Sequence, residues 1–332
     1  MKRYFCNGCN QYYSIDYRKK DPVLWIPHVD GVPYRKLGDE KNLSPAQTFA
    51  RVEAELNRLP DNNQLTKNYC NPALFCGTLI IDGKHVKVRG FEKKIPFIYC
   101  LDYLPHDIVA DVLSPAEDTL TFLQLFRHLR DCNYPMQITV GDDNPAIKGA
   151  LNQVYPGTPF QLCHNHYLQN VKKQLRVETE DKYQKFFYEL KALVFEPYFE
   201  KDDQVTEGLR EVWRRYAVSD ESIKGLLMEI HARRSELFAY LKVKGCPKTS
   251  NLIELFNSHL EARLKSIKGF KSILGAGRWL NGSVIRRRTK VFTDCKGKFK
   301  HLNGHCSLEL TCHTWPDLPG VSNPLKAPKT ER

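Results

Sequence analysis

The segment Met136 to Val140 runs straight into Gly141-Asp142-Asp143-Asn144-Pro145, and a short apolar run, Phe160 to Cys163, follows after one amphipathic stretch. The spacing predicts a buried strand, a helix from Asn144 to about Val154, and a second strand. Side chains at the C-terminal end of a buried strand leave the core and face the crevice where open α/β sheets carry out their chemistry. Asp142 is therefore the first candidate for a catalytic residue. Cys163-His164-Asn165-His166 and Asn170 come directly after the second strand.

A chain of 332 residues with 42% hydrophobic content can bury a sizeable core and should hold two to three domains. The formal net charge of +12 points to a polyanionic partner, most often nucleic acid, against the alternative of a merely soluble basic protein. No run of 18 apolar residues occurs, and Met1-Lys2-Arg3-Tyr4-Phe5-Cys6 lacks the apolar core of a signal peptide, so an intracellular protein without membrane contact is expected. Eleven cysteines, an odd number spread over a long chain, fit reduced thiols or metal ligands better than a disulfide framework.

Cys6-x-x-Cys9, within residues 1–20, matches half of a zinc ribbon, since two thiolates at that spacing can grip one tetrahedral ion. A second pair would be needed and none follows nearby, which leaves ligands from elsewhere, or a relic, as the alternatives. Residues 21–70 read as a helix-turn-helix: Pro33 to Lys41 as first helix, Asn42-Leu43 as turn, then Ser44 as N-cap with Pro45 at the first helical position. Leu37, Leu43, Phe49, Val52 and Leu56 are expected to pack inward, leaving Gln47, Thr48 and Arg51 on a face that could enter a major groove. An ordinary amphipathic helical pair has the same spacing.

Farther on, Phe75 to Ile81 reads as a strand running into Asp82-Gly83 as a turn, with His85 to Arg89 returning and Ile95 to Asp102 as a third strand. Ser114-Pro115-Ala116-Glu117 forms a capping box that starts a helix reaching about Asp131. The resulting order is three strands, helix, strand, helix, strand, helix, which suggests a mixed sheet with helices packed on it. From Val171 to Val243 the pattern is helical throughout. There Trp213, flanked by Arg210, Arg214 and Arg215, has two readings: stacking on an extruded base, or core packing. Asn251 opens a helix in which Glu254 would complete a capping box, a structural role that competes with any chemical one. The last 60 residues are basic, with Arg278, Arg286, Arg287, Arg288 and several lysines, and the tail after Trp315 is expected to be loose.

Asp82, Asp142 and Glu254 thus fall at the end of a first strand, the end of a fourth strand and the start of a late helix. Three carboxylates meeting at a sheet suit two divalent cations, one ligand bridging and one terminal for each ion, with positions left open for a phosphodiester and its nucleophile.

These residues carry a resemblance. The chain resembles a DDE transposase of the Mutator-like bacterial insertion-sequence superfamily, in its variant zinc-binding type. The matching pieces are Ile80-Ile81-Asp82-Gly83; Asp142 with Ala146, Ala150 and Tyr155-Pro156; Cys163-x-x-His166 with Asn170; and Thr249-Ser250-Asn251-x-x-Glu254 with Asn257 and Arg263. The resemblance covers roughly residues 70–290. It implies a ribonuclease H-like core over 71–176 and 245–290, interrupted by an all-helical insertion at 177–244 and followed by a basic extension at 291–332. It implies Asp82, Asp142 and Glu254 as a catalytic triad holding two Mg²⁺ or Mn²⁺ ions, with Asp143, Cys163, His166, Asn170 and Asn251 near the site. Asp142 rather than Asp143 matches because Ala146, Ala150 and Pro156 fall in step with it. The implied partner is double-stranded DNA, element ends and target, gripped by a homo-oligomer in a prokaryotic, nucleoid-associated setting. Gln47, Thr48, Arg51, Trp213, Arg286, Arg287 and Arg288 are the candidate DNA contacts. A non-cutting regulator and a ribonuclease H-like nuclease without strand transfer are the alternatives.

Overall fold

The computed structural model describes residues 2–6, 8, 11–15, 22–217 and 220–326. Strands β1 (Lys2–Cys6) and β2 (Gln11–Ile15) pair antiparallel, Lys2 opposite Ile15. Cys9 and the side chain of Cys6 lie outside the described residues, and with them the expected zinc pair.

Four helices follow: α1 (Trp25–Val29), α2 (Tyr34–Lys41), α3 (Pro45–Leu56) and α4 (Asn62–Tyr69). Asn42 takes a left-handed turn (φ 53°) to end α2, Ser44 caps α3 as its place before Pro45 predicts, and Gln47 completes a capping box with it. The two helices touch closely at Gly38, where a Cβ would stand 2.6 Å from the Leu43 carbonyl oxygen and 2.8 Å from Thr48 Oγ1. Thr48 is therefore not on the outer face but fully buried under α2, its hydroxyl donating to the Ser44 carbonyl at 2.9 Å. Phe49, expected inside, is 45% exposed and rests edge-on against Tyr34. The apolar stripe of α3 is thus turned by one residue, because Thr48 satisfies its hydroxyl on its own helix and can enter the core.

The central sheet has five strands in the order β5-β4-β3-β6-β7. Strands β3 (Thr78–Val86), β4 (Ile95–Asp102) and β5 (Asp107–Leu113) run antiparallel, whereas β6 (Ile138–Gly141) and β7 (Phe160–Leu162) run parallel to β3. Helices α5 (Thr119–Asp131), α6 (Pro145–Val154) and α7 (His164–Gln174) complete the expected order. Its first part is redistributed. Asp82-Gly83 is no turn: β3 passes through it unbroken, with Asp82 opposite Tyr99, and the third strand is β5. Helix α5 begins after Asp118, which caps it, so Glu117 is free of the capping role its spacing suggests.

The stretch from 177 to 244 holds no strand among the described residues. It contains α8 (Asp181–Leu190), a π turn, α9 (Asp202–Tyr216), α10 (Glu221–Ala232) and α11 (Arg234–Leu237). Lys248, just before the next long helix, ties that segment to it, donating to the carbonyls of Phe195, Glu196 and Pro197 at 2.7, 2.8 and 3.1 Å.

Helices α12 (Asn251–Ile267), α13 (Ile273–Thr289) and α14 (Ser307–Thr311) close the molecule. Arg288 is fully buried, a correction to its place among the DNA contacts: its guanidinium donates to both Asp107 oxygens at 2.9 and 2.6 Å, to Asn62 and to Thr66, joining α13 to β5 and α4. Residues 316–326, the described part of the stretch after Trp315, are packed on the fold rather than loose: Leu318 is buried and the Trp25 indole donates to the Pro319 carbonyl at 2.9 Å.

Candidate active site

Ile80 faces Val140 across the parallel pair β3–β6, so Asp82 on β3 and Asp142, one residue past the end of β6, both follow the end of that pairing. Both line one crevice, together with Glu117. Asp82 Oδ1 accepts the Gly83 N–H at 2.7 Å and Oδ2 accepts Asn257 Nδ2 at 2.6 Å. Asn257 accepts in turn from the Tyr99 hydroxyl. Burial raises the Asp82 carboxyl to about 7; Asp142 and Glu254 add to the rise, while Gly83 and His166 oppose it.

Glu254 stands one turn before Asn257 on α12, so Glu254, Asn257 and Glu261 present one face to β3. Glu261 pairs with Lys84 on that strand at 2.5 Å. The cap of α12 is Ser250 rather than Asn251, and no side-chain cap bond forms, so the capping role does not hold Glu254. Instead Glu254 Oε1 lies 2.9 Å from Ser250 Oγ and 3.7 Å from His166 Nε2.

His166 is the hub of the site. Its Nδ1 pairs with the Asp142 carboxylate and its Nε2 faces Glu254. The bonds to Asp142 and Cys163 push the imidazole up to about 11 against the opposing effect of burial. Cys163 is buried at the start of α7, and Ser250 approaches its Sγ from N at 3.3 Å and from Oγ at 3.2 Å. Burial works to raise this thiol, but hydrogen bonds from His166 and Ser250 outweigh it and hold it below its ordinary range. Among the described residues, Cys163, His166 and Glu254 are the set of three whose ligand atoms all lie within 4.8 Å of one another. Two of the three candidate carboxylates, Asp142 and Glu254, therefore flank the imidazole, while Asp82 is held by Gly83 and Asn257.

The neighbouring aspartates part company. Burial works to raise Asp143, yet bonds from Arg233 at 2.7 Å and Lys148 at 3.0 Å outweigh it and hold the carboxyl low. Asp143 is thus engaged with the helical segment, and Asp142 faces the site.

One participant, Glu117, escaped the sequence reading of the site, and a second, Asn257, was named there without a role. Glu117 accepts from Asn144 Nδ2 at 3.0 Å and lies 3.7 Å from His85, although its spacing suggests only a cap. Asn257 as the partner of Asp82 was signalled by its three-residue spacing from Glu254. Asn251 accepts from Asn165 at the rim, and Asn170 is exposed on α7 outside the hydrogen-bond network. Gln47 is exposed; Arg51 pairs with Glu55 at 3.2 Å; Arg286 pairs with Asp30 at 2.8 Å; Arg287 lies over the Phe292 ring. Trp213 is 40% exposed on α9 rather than packed in a core. A basic groove opens where β3 and α12 continue past the carboxylates, lined by Lys84, Lys87, Lys94, Lys265 and Lys268. No described helix is long and apolar enough to cross a membrane.

A mixed five-stranded sheet flanked by helices, with Asp82 on β3 and Asp142 just past the end of β6, defines an α/β protein with an acidic crevice. Residues 75–287 match the model of the family "Transposase, Mutator family", and the chain belongs to that family, whose members act on DNA. A curated relative, the transposase for insertion sequence element IS1201 of Lactobacillus helveticus, is 20% identical over 280 residues, covering 78% of this chain and 72% of its own. Among solved structures, the Drosophila P element transposase strand transfer complex is similar with a TM-score of 0.44 at 12% identity, over 86% of this chain and 95% of that one. The Mos1 transposase paired-end complex with left transposon end gives 0.19 at 14%, over 70% and 82%. At these TM-scores the two likenesses carry no argument of their own.

Proposed function

We propose that this transposase cuts DNA at the ends of its mobile element and joins the freed 3′ hydroxyl to target DNA, using Asp82, Asp142 and Glu254 on a ribonuclease H-like core. The observation that carries the reading is that Asp142 and Glu254 flank one imidazole while Asp82 lines the same crevice as Asp142 and is tied to α12 through Asn257. The donor set fits Mg²⁺ or Mn²⁺: the oxygens are hard, and Asp82 is a half-buried carboxylate whose desolvation a nearby cation would offset. When bound, two such ions supply positive charge against the in-line displacement at phosphorus and ease deprotonation of the attacking hydroxyl.

The remaining work belongs to the chain. Asn257 and Gly83 fix both Asp82 oxygens, Ser250 and His166 position Glu254, and His166 neutralises part of the carboxylate charge before substrate arrives. The lysine groove continues the β3–α12 seam and would carry phosphates flanking the scissile bond. Exposed Gln47 and Trp213 remain as candidate contacts on α3 and α9, and a homo-oligomer would hold two ends together. The test is strand transfer: a duplex with the element's terminal repeat, incubated with supercoiled plasmid and Mg²⁺ or Mn²⁺, should yield covalently joined product. Binding of the repeat with no joined or cut product would instead favour a regulator.

A further inference from the structure

We propose that Cys163, His166 and Glu254 form a second metal site, selective for a thiophilic cation such as Zn²⁺, Co²⁺ or Cd²⁺, and that filling it withdraws Glu254 from the catalytic carboxylates. The Cys163-x-x-His166 spacing places thiol and imidazole on one turn at the start of α7, a two-ligand grip of the kind zinc knuckles use. The third ligand comes from a different element, α12, which is why the motif alone shows only two. His166 Nε2 lies 3.7 Å from Glu254 Oε1, near the roughly 3.4 Å edge of a tetrahedron with zinc–nitrogen and zinc–oxygen bonds of about 2.1 Å. Closing the site needs only side-chain movement, since all three ligand atoms already lie within 4.8 Å of one another.

The surroundings fit the same assignment. Asp142 holds Nδ1 of His166 and so turns Nε2 towards Glu254, the arrangement in which a carboxylate orients a metal-bound histidine. Ser250 approaches the Cys163 sulfur from both N and Oγ. A buried sulfur ligand selects against Mg²⁺, which takes oxygen donors, and in favour of softer ions. Three protein ligands leave a fourth position open, so the ion should exchange. Binding itself is independent of the proposed function; its inhibitory consequence rests on that reading.

The test uses the full chain with Cys6 and Cys9 replaced by serine, which removes the other cysteine pair, titrated with Co²⁺. One Co²⁺ per chain should account for a thiolate-to-cobalt charge-transfer band that Zn²⁺ abolishes. The band should vanish in Cys163→Ser, persist in Asp82→Asn, and require about tenfold or more Co²⁺ in His166→Gln and Glu254→Gln. His166→Gln decides the matter if Cys163→Ser does not fold. No band, or an unchanged band in His166→Gln, would overturn the site. With element-end DNA and Mn²⁺, added Zn²⁺ should suppress cleavage; undiminished cleavage at saturating Zn²⁺ would overturn the withdrawal of Glu254. A chain that binds Co²⁺ as described but never cleaves would refute the catalytic reading and leave the metal site standing.

Discussion

Asn257 donates from Nδ2 to Asp82 Oδ2 at 2.6 Å, and this contact locks the helix bearing Glu254 to the strand bearing Asp82. Its Oδ1 accepts from Tyr99, so one amide serves both sides of the β3–β4 pair. Replacing Asn257 with alanine should cost about 2 kcal/mol, because it leaves Asp82 Oδ2 and the Tyr99 phenol without the amide between them. Urea unfolding measures the loss. Asn257→Asp, which sets a further carboxylate against Asp82, should reduce cleavage more than alanine does. An alanine variant as stable as the parent would show that α12 is held by other contacts.

Arg288 predicts stability, not DNA affinity. Breaking its fully buried pair with Asp107 by Arg288→Ala should destabilise the chain by about 3–5 kcal/mol. A variant that unfolds at the parental urea midpoint yet binds DNA poorly would reverse this assignment.

The groove lysines predict the opposite. Lys87, Lys265 and Lys268 are exposed, and changing each to glutamine should leave the unfolding midpoint within error. The slope of log affinity against log salt for duplex DNA should fall by about 0.9 for every phosphate that the variant no longer neutralises. An unaltered slope in the triple variant would place the DNA elsewhere.

Acid sensitivity should trace in part to His106. Burial lowers this histidine to about 4, and the charges of Arg287, His301 and Lys298 act in the same direction. Folding therefore favours the neutral ring. The stability it contributes is intact above the unfolded value near 6.5 and is lost as pH falls towards 4, by about 3 kcal/mol in full. His106→Asn, which tolerates the left-handed backbone (φ 55°), should flatten the pH dependence of unfolding across that window. Equal slopes for both proteins would contradict the prediction.

The order of strands and helices in the sheet was legible in the sequence because each element carries its own periodicity. What failed were points where a local signal competed with a distant partner. Asp82-Gly83 has turn chemistry, yet its extended form is held by Asn257, 175 positions away in sequence. Ser114 to Glu117 spells a cap, but Asp118 caps the helix instead. The arginine run 286–288 looks like a phosphate-binding strip, and only the fold reveals that Asp30 and Asp107 take two of its members. Asp142, Cys163, His166 and Glu254 could be named in advance. That His166 would stand between two carboxylates could not, since the contact depends on how α7 and α12 cross.

The central claim is that Asp142 serves strand cleavage and not the fold or DNA binding. The decisive measurement is cleavage of an end-labelled duplex carrying the terminal repeat, with Mg²⁺ or Mn²⁺, by the parent chain and by Asp142→Asn. Metal-dependent nicking at the element boundary by the parent, absent in a variant that binds the same duplex equally well, is the expected result. Nicking by Asp142→Asn at the parental rate would contradict the account.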